Sequence, residues 1–161
     1  MTIIFEPLFP DVMPPVPSTA DAAGLDAVAY LEGREVAVID QAGDVSVYRY
    51  AQVWIPKGGR VAIPLGFKAQ LPSGWECQVR PRSGLALKQG LTVLNAPGTI
   101  DADYPGEWAV ILHNTSSNDV LVKHGDRVAQ LVLAPVHRLS WEPGFVGQTT
   151  ERTGGFGSTG R

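Results

Sequence analysis

Three short segments of this sequence combine side chains suited to binding or cleaving a phosphate compound. The first is Pro81-Arg82-Ser83-Gly84, which follows a strand-like alternation and brings together a guanidinium, a hydroxyl and a glycine amide. Arginine binds phosphate oxygens through two parallel N–H groups, and glycine lets the backbone approach them closely. The segment is a candidate phosphate cradle, although Arg-Ser-Gly is also the composition of an ordinary turn.

The second segment, residues 95–107, crowds carboxylates, an aromatic ring and turn residues between two apolar runs. It reads Asn95-Ala-Pro-Gly-Thr-Ile-Asp101-Ala-Asp-Tyr104-Pro-Gly-Glu107. We expect a hairpin with Pro97-Gly98 at its tip, whose backbone groups face a planar ligand. The alternative is a solvated hairpin loop without a ligand.

The third segment, Gly154-Gly-Phe-Gly-Ser-Thr-Gly160, lies in a tail that contains almost no aliphatic residues. Glycine amides and hydroxyls can wrap phosphate groups, and the ring of Phe156 can stack on a base. The alternative is a disordered tail, because a segment of this composition cannot fold alone.

Short strands are the elements that must position these segments. The chain has 161 residues, enough for one domain with a substantial core. Its 18 glycines and 13 prolines interrupt short apolar runs, and no long helical periodicity is present. This pattern predicts an all-β domain, with at least eight strands in a jelly roll or related closed sheet.

The clearest predicted strands differ in their hydrophobic pattern. Apolar and polar residues alternate strictly at 75–80, so this strand should bury one face. The continuous apolar runs at 108–112 and 128–133 suit strands buried on both faces, including at a subunit interface. One helical turn is expected at 85–89, before Gly90. The proline-rich residues 1–20 are expected to be mostly extended, with an edge strand at most. Further strands are predicted at 36–39, 45–50, 54–56 and 60–64.

Composition argues against several functional classes. The net charge is −3 and no basic cluster stands out, so we expect neither nucleic-acid nor membrane binding. The N-terminal residues resemble neither a secretory leader nor a membrane span, and a cytoplasmic location is the default. The single cysteine, Cys77, is expected to be a small core residue. The three histidines lack companions at zinc-ligand spacing.

Five motifs, in order, resemble those of the trimeric dUTPase family. The resemblance runs from about residue 20 to the end of the chain, and the second, third and fourth motifs are highly specific. The three segments described first belong to the second, third and fifth motifs, in that order. The second motif is longer than its segment and reads Pro81-Arg-Ser-Gly-Leu-Ala-Leu-Lys-Gln-Gly90. The first is Ala22-Ala-Gly-Leu-Asp26-Ala, and the fourth is Gly125-Asp-Arg-Val-Ala-Gln130-Leu.

The resemblance implies hydrolysis of dUTP to dUMP and pyrophosphate, which supplies dUMP for thymidylate synthesis and keeps uracil out of DNA. Asp101 would be the catalytic carboxylate that orients the attacking water. Tyr104 would pack under the deoxyribose and exclude a ribose hydroxyl. The residues that would contact the base, through the backbone, an amide or a stacked ring, are Asn95, Thr99, Ile100, Ala109 and Phe156.

The resemblance also implies a Mg²⁺ cofactor bound by the triphosphate and water, with Asp26 touching the water shell. The residues that would bind the phosphates are Arg82, Ser83, Gly84, Gln130, Arg152, Ser158 and Thr159. Asp126 and Arg127 are expected to form a buried structural pair. The family's pattern has one more residue between the arginine and the glycine pair than Arg152-Thr-Gly-Gly-Phe156, which weakens the assignment of Arg152 to the γ-phosphate.

For the fold, the resemblance implies a distorted jelly roll or β-clip-like barrel at 1–148. Residues 149–161 would form a flexible arm that closes over a neighbouring subunit's site in a homotrimer. The stretch between Asp26 and Arg82 is longer than the family predicts, so we expect an inserted surface hairpin at about 33–50. Its four valines, at 36, 38, 45 and 47, would form an exposed apolar face or pad the subunit surface.

Two other functions remain open at this stage. The dCTP deaminases share the fold and the arginine-serine phosphate site, so a deaminase-like or bifunctional enzyme that makes dUMP from dCTP is one alternative. It would carry a catalytic glutamate after the hairpin and lack the Ile100-Asp-Ala-Asp-Tyr104 signature. A dUTPase-fold regulatory binding protein is the other.

Overall fold

The structure is a computed structural model that describes residues 2–147. Within that range the chain forms thirteen strands and one helix. In chain order these are β1 (Ile4–Pro7), β2 (Leu25–Val28), β3 (Val36–Ile39), β4 (Val45–Tyr48), β5 (Gln52–Ile55), β6 (Arg60–Pro64), β7 (Phe67–Gln70), β8 (Trp75–Arg80), α1 (Ser83–Gln89), β9 (Leu91–Val93), β10 (Gly98–Ile100), β11 (Ala109–Asn114), β12 (Val120–Lys123) and β13 (Arg127–Pro135).

Two antiparallel sheets carry most of the strands. One has the order β10-β8-β13-β2 and the other β4-β3-β6-β11-β9, while β1 pairs with β7 and β5 with β12. Inward side chains of both large sheets, such as Val79 and Leu131 from one and Ile63 and Val110 from the other, belong to one core cluster. This arrangement confirms the predicted all-β, jelly-roll-like fold.

Strand β8 shows how the alternating pattern becomes a half-buried strand. Cys77 and Val79 are 1% and 4% exposed, while Gln78 and Arg80 face outward. Burial raises the pKa of the Cys77 thiol to about 12, so the thiol stays protonated at neutral pH. The prediction that Cys77 is a small core residue is confirmed.

Helix α1 is short and lies on the surface. It begins after Arg82, whose backbone is extended, and ends at Gly90, whose φ of 68° lets its N–H bond to the carbonyl of Ala86. The helical turn predicted before Gly90 is confirmed. In the described part of the chain α1 buries none of its residues, and Leu87 is 88% exposed.

The segment at 33–50 is not a surface addition throughout. Strand β3 pairs with β6, with Val38 opposite Val61, and Val36 and Val38 are only 4% and 2% exposed. Only the outer strand β4 presents its valines, since Val45 is 62% and Val47 is 57% exposed. Of the two alternatives for the four valines, the one in which all of them form an exposed face is wrong, because side chains alternate along β3 and its inner face joins the core.

The apolar run in β11 is buried on one face within the single chain. Val110 and Leu112 are buried, but Ala109 is exposed and Ile111 is 39% exposed. One face of the strand covers the core of this chain and the other is left open, so burial of the second face at a subunit interface stays a prediction. No helix within residues 2–147 has the length and apolarity needed to span a bilayer.

Candidate active site

One cleft of about 310 Å³ collects most of the predicted base, sugar and catalytic residues. It lies where β10 and the following loop meet β11. Each residue predicted for these roles within the described range lines it, namely Asn95, Thr99, Ile100, Asp101, Tyr104 and Ala109. The structure therefore brings together side chains and backbone from a stretch of only fifteen positions.

The strands on either side of Pro97, β9 and β10, belong to different sheets. Strand β9 pairs with β11, whereas β10 pairs with β8 through Gly98 opposite Val79 and Ile100 opposite Cys77. The expected hairpin with Pro97-Gly98 at its tip is wrong, because the hydrogen-bonding groups of β10 are directed to β8 and Gly98 begins that strand. Strand β10 is the edge of its sheet, and no strand in residues 2–147 pairs with its other side.

Glycine at position 98 allows Asn95 to approach the start of β10. A Cβ on Gly98 would lie 3.0 Å from Asn95 Nδ2 and 3.3 Å from Val79 Cβ, closer than ordinary contact. The absence of a side chain therefore leaves room for the Asn95 amide beside the strand that lines the cleft.

Glycine at position 106 has a similar role for Tyr104. A Cβ there would lie 2.6 Å from Tyr104 Cζ and would also collide with the hydroxyl, so the ring lies directly over the Gly106 backbone. The Tyr104 N–H donates to the carbonyl of Asp101 at 3.2 Å, and its hydroxyl donates a long 3.4 Å bond to the carbonyl of Glu107. The ring remains 47% exposed, so one side is open to the cleft.

Asp101 follows β10 directly and its side chain is exposed at the cleft. A solvent-accessible carboxylate can accept a hydrogen bond from a water molecule and take up its proton. Its backbone carbonyl fixes the start of the Tyr104 turn, so the catalytic candidate and the sugar-binding candidate are parts of one turn.

The predicted phosphate side is a separate cluster built on two guanidiniums and one carboxylate. Arg82 Nε lies 3.2 Å from Asp26 Oδ1, and Arg127 Nη1 lies 3.2 Å from Asp26 Oδ2. Arg82 Nη1 also donates to the carbonyl of Arg127 at 2.9 Å. The Asp26 side chain is 16% exposed, so the two arginines hold an anion that is largely removed from solvent.

The expected buried pair of Asp126 and Arg127 is wrong. Asp126 is exposed, and its Oδ2 accepts the backbone N–H of Lys123 at 2.8 Å in a tight turn. Arg127 is 56% exposed and pairs with Asp26 on the neighbouring strand β2. Asp126 lies in the turn before β13, where the backbone N–H of Lys123 holds its carboxylate, whereas Arg127 already belongs to the strand beside β2.

Gln130 lies in the same row of the sheet as this cluster. On β13 it is opposite Arg80 of β8 and opposite Asp26 of β2. A Cβ on Gly24 would lie 3.3 Å from Gln130 Cβ, so the first motif packs against this side chain. Ser83 and Gly84 are exposed in the first turn of α1, where backbone N–H groups have no partner within the helix.

Within one chain, the residues predicted for the base, the sugar and catalysis line one cleft, and the residues of the Asp26 cluster line others. Asp26 and Arg127 line a different cleft of about 440 Å³, and Arg82 lines one of about 260 Å³. Strands β10 and β2 are opposite edges of a four-stranded sheet, about 14 Å apart at the usual strand spacing. The remaining predicted residues, Arg152, Phe156, Ser158 and Thr159, lie outside the described residues.

The donor set suits a cation bound mainly by its ligand and by water. Within residues 2–147 no three histidine, cysteine or acidic side chains are grouped so that they could hold a metal ion. Mg²⁺ characteristically keeps several waters and takes one or two carboxylates together with substrate phosphates. Each Asp26 oxygen already faces a guanidinium but retains a second lone pair, which is compatible with contact through water.

Two residues of the site were missed by the sequence analysis. Glu107 lines the 310 Å³ cleft, and its carboxylate forms a bidentate ion pair with Arg34. The sequence analysis included Glu107 as the acidic end of the third motif but did not predict its ion pair with Arg34. Arg34 lies 73 positions away, and no local pattern connects the two.

Comparison with known proteins identifies relatives of this chain. A family model described as dUTPase matches residues 39–160. The deoxyuridine 5'-triphosphate nucleotidohydrolase of Desulfotalea psychrophila is 51% identical over 147 residues, which cover 91% of this chain and 86% of that protein. The dUTPase of Streptococcus mutans has a solved structure that superposes with a TM-score of 0.62 at 27% identity, covering 85% of this chain and 98% of that one.

A second solved structure supports the fold. The Staphylococcus bacteriophage 80alpha dUTPase, solved with dUPNHPP, has a TM-score of 0.70 at 20% identity and covers 99% of both chains. The family model spans most of the sequence, and the relative from Desulfotalea psychrophila is matched over nearly its whole length. This chain belongs to the dUTPase family.

Proposed function

We propose that this dUTPase hydrolyses dUTP to dUMP and pyrophosphate in a site that two or more subunits share. The 310 Å³ cleft of one subunit would bind the base and sugar, and the cluster around Asp26 and Arg82 of another would bind the phosphates. The observation that carries the proposal is the convergence of Asn95, Asp101, Tyr104 and the free edge of β10 on one cleft.

The free edge of β10 is suited to reading uracil. An unpaired strand edge presents backbone N–H and C=O groups that must find partners. The base has both donors and acceptors, so Thr99, Ile100 and the backbone near Ala109 can bond to it, with the Asn95 amide alongside. Close backbone contact would leave no room for the thymine methyl. This steric exclusion selects against dTTP more strongly than an apolar pocket, which discriminates one methylene by only roughly 1–3 kcal/mol.

Tyr104 would select the sugar. Its ring is fixed from below by Gly106 and is open on the cleft side. A deoxyribose would pack against it, whereas a ribose 2'-hydroxyl would meet the ring.

Asp101 would orient a water molecule for attack on the α-phosphorus. The water oxygen forms the new bond to phosphorus, the bond to the oxygen that bridges the α and β phosphates breaks, and pyrophosphate leaves. The proton released from the water passes to the Asp101 carboxylate and from there to solvent. A positioned base of this kind contributes about 10²–10⁴-fold to the rate.

Arg82, Ser83, Gly84 and Gln130 would hold the phosphate oxygens, because guanidinium, hydroxyl and free amide groups are charge-matched donors for them. When bound with the triphosphate, Mg²⁺ would neutralise the charge that develops on the phosphate oxygens. Asp26 would hold a water of its shell.

The arm at 149–161 would complete the site from a third subunit of a homotrimer, with Phe156 on the base and with Arg152, Ser158 and Thr159 on the phosphates. The separate clefts within one chain support a shared site. The exposed Leu87 and Ile111 offer apolar surface for subunit contact.

The test is pyrophosphate release from dUTP, dTTP, UTP and dCTP in parallel, with Mg²⁺ present. We expect dUTP to be strongly preferred. Equal rates on dUTP and dTTP would refute the assignment of the base pocket. Release of ammonia from dCTP would instead support the deaminase alternative.

The catalytic assignment is tested by Asp101→Asn, which retains the shape and removes the base. We expect kcat to fall by about 10²–10⁴-fold while nucleotide binding persists. Asp103→Asn is the matched control, since Asp103 is exposed two residues away and does not line the cleft. A wild-type rate in Asp101→Asn would mean that another group activates the water.

A further inference from the structure

Arg34 makes a bidentate ion pair at the edge of the candidate active site. Its Nη1 donates to Glu107 Oε1 at 2.9 Å and its Nη2 to Glu107 Oε2 at 2.7 Å. Both side chains are about three-quarters buried, at 24% and 21% exposure. Such forked, charge-assisted contacts are among the strongest polar contacts in proteins and fix orientation as well as distance.

Glu107 is held in place instead of being free for proton transfer. Its Oε1 also accepts the backbone N–H of Gly66 at 2.9 Å, so both carboxylate oxygens are bonded. Its backbone carbonyl accepts the hydroxyl of Tyr104, and the residue lines the same cleft as Asp101. Glu107 therefore anchors the end of the loop that begins at Asp101.

Arg34 is itself fixed on its other side. Its guanidinium carbon lies 5.4 Å from the centre of the Phe9 ring, and that ring is stacked on Tyr30 at 4.4 Å and 17°. The hydrogen bond from Arg34 to Glu107 is the main cause that raises the pKa of the guanidinium, against the opposing effect of burial. An aromatic face and a carboxylate thus hold the charged group from two sides.

We propose that Arg34 is a positioning residue for dUTP hydrolysis: by fixing Glu107 it fixes the loop that carries Tyr104, and it thereby sets the preference for deoxyribose over ribose. The inference rests on the proposed function. Without Arg34, Glu107 would remain partly buried with one N–H partner, and the loop would rearrange to hydrate the carboxylate. Tyr104 depends on that loop for its place over Gly106.

The test compares Arg34→Met, Arg34→Lys and the control Arg49→Met. Methionine keeps much of the side-chain length and removes the charge, while lysine keeps the charge but cannot form the fork. Arg49 pairs with Glu35 at 2.8 Å in the same hairpin, but this pair is 70% and 62% exposed and does not contact the cleft. For each variant, kcat and KM are measured on dUTP and on UTP.

We expect Arg34→Met to lower the ratio of kcat/KM for dUTP over UTP by about tenfold, equivalent to about 1.4 kcal/mol. Most of the change should be a raised KM for dUTP, because Asp101 and the phosphate ligands are retained. Arg34→Lys should recover part of the ratio, and Arg49→Met should match the wild type.

A purely structural role would lower the melting temperature without changing the ratio. An unchanged ratio in folded Arg34→Met therefore overturns the inference. If that variant does not fold, a wild-type ratio in Arg34→Lys overturns it equally. If the wild-type protein does not hydrolyse dUTP, the proposed function is refuted and the inference with it. If the wild type is active but the Arg34 variants keep its ratio of kcat/KM for dUTP over UTP, the inference alone is refuted.

Discussion

Gly106→Ala adds one methyl group, and it should lower activity much more than it lowers stability. The added Cβ would lie 2.6 Å from Tyr104 Cζ and still closer to its hydroxyl. Ordinary contact begins at about 3.4 Å, so the ring must move by roughly 0.8 Å or more. The φ of Gly106 is outside the left-handed region, so the backbone itself accepts alanine.

The direction of that movement decides the outcome. Tyr104 is 47% exposed and its hydroxyl makes one long hydrogen bond, so the ring can move outward without opening the core. Overpacking of a closed core costs about 1–3 kcal/mol, but an exposed ring relieves most of that strain. We expect about 1 kcal/mol or less of lost stability, which is a shift of about 2–4 °C in Tm for a chain of this size.

The effect on activity should be larger. A misplacement of about 1 Å in a positioning group can cost as much as 100-fold in rate. We therefore expect kcat/KM for dUTP to fall by about 10–100-fold in Gly106→Ala. The preference for dUTP over UTP should fall with it, because the displaced ring no longer excludes the 2'-hydroxyl.

The assay is steady-state pyrophosphate release on both nucleotides, combined with thermal unfolding. Gly144→Ala is the matched control, since no atom in the described part of the chain lies within 4 Å of its added Cβ. Gly144→Ala should be indistinguishable from wild type. Unchanged selectivity in a folded Gly106→Ala would show that Tyr104 does not read the sugar.

Three further measurements test the assembly and the core. Sedimentation should report about three times the chain mass of 17.2 kDa, and a strictly monomeric active enzyme would contradict the shared site. Val38→Ala, at 2% exposure, should cost about 2 kcal/mol in urea unfolding, whereas Val45→Ala, at 62%, should stay within about 0.5 kcal/mol. In the unfolded chain the Cys77 thiol has its ordinary pKa of 9.0, whereas burial raises the pKa in the folded protein to about 12. The stability that this thiol contributes is therefore fully present below pH 9 and is lost as the pH rises from 9 towards 12. From about pH 8 to about pH 10.5 the wild type should lose about 2 kcal/mol more than Cys77→Ala, and equal losses would contradict the buried thiol.

Local patterns in the sequence were sufficient where the structure is determined by near neighbours. The alternation at 75–80 became β8 because each second side chain faces one core. The turn at Gly90 ended α1 because glycine accepts the left-handed conformation there. Five predicted residues of the third motif, together with Ala109 just after it, reach one cleft for a similar reason, since all six lie within a short stretch that begins before β10 and ends in β11.

Contacts between distant positions were beyond the reach of these patterns. The sequence analysis paired Asp126 with Arg127 inside the fourth motif, whereas the strand pairing of β2 and β13 gives Arg127 to Asp26. The pairing of β10 with β8 was missed for the same reason. Periodicity identifies the face that a residue occupies, but the register between strands depends on the folding of the whole chain.

The segment at 33–50 shows what this limit means for function. In the sequence it looked like an insertion that lies between the first two motifs without serving them, but it supports the cleft by two routes. Strand β3 pairs with β6, which pairs with β11 and places Ala62 opposite Ile111 at the cleft wall. Arg34, just before β3, binds Glu107 at the other end of the same cleft. Removal of the whole segment would therefore take away the exposed strand β4 and, with Arg34 and β3, the support of the loop that carries Asp101 and Tyr104.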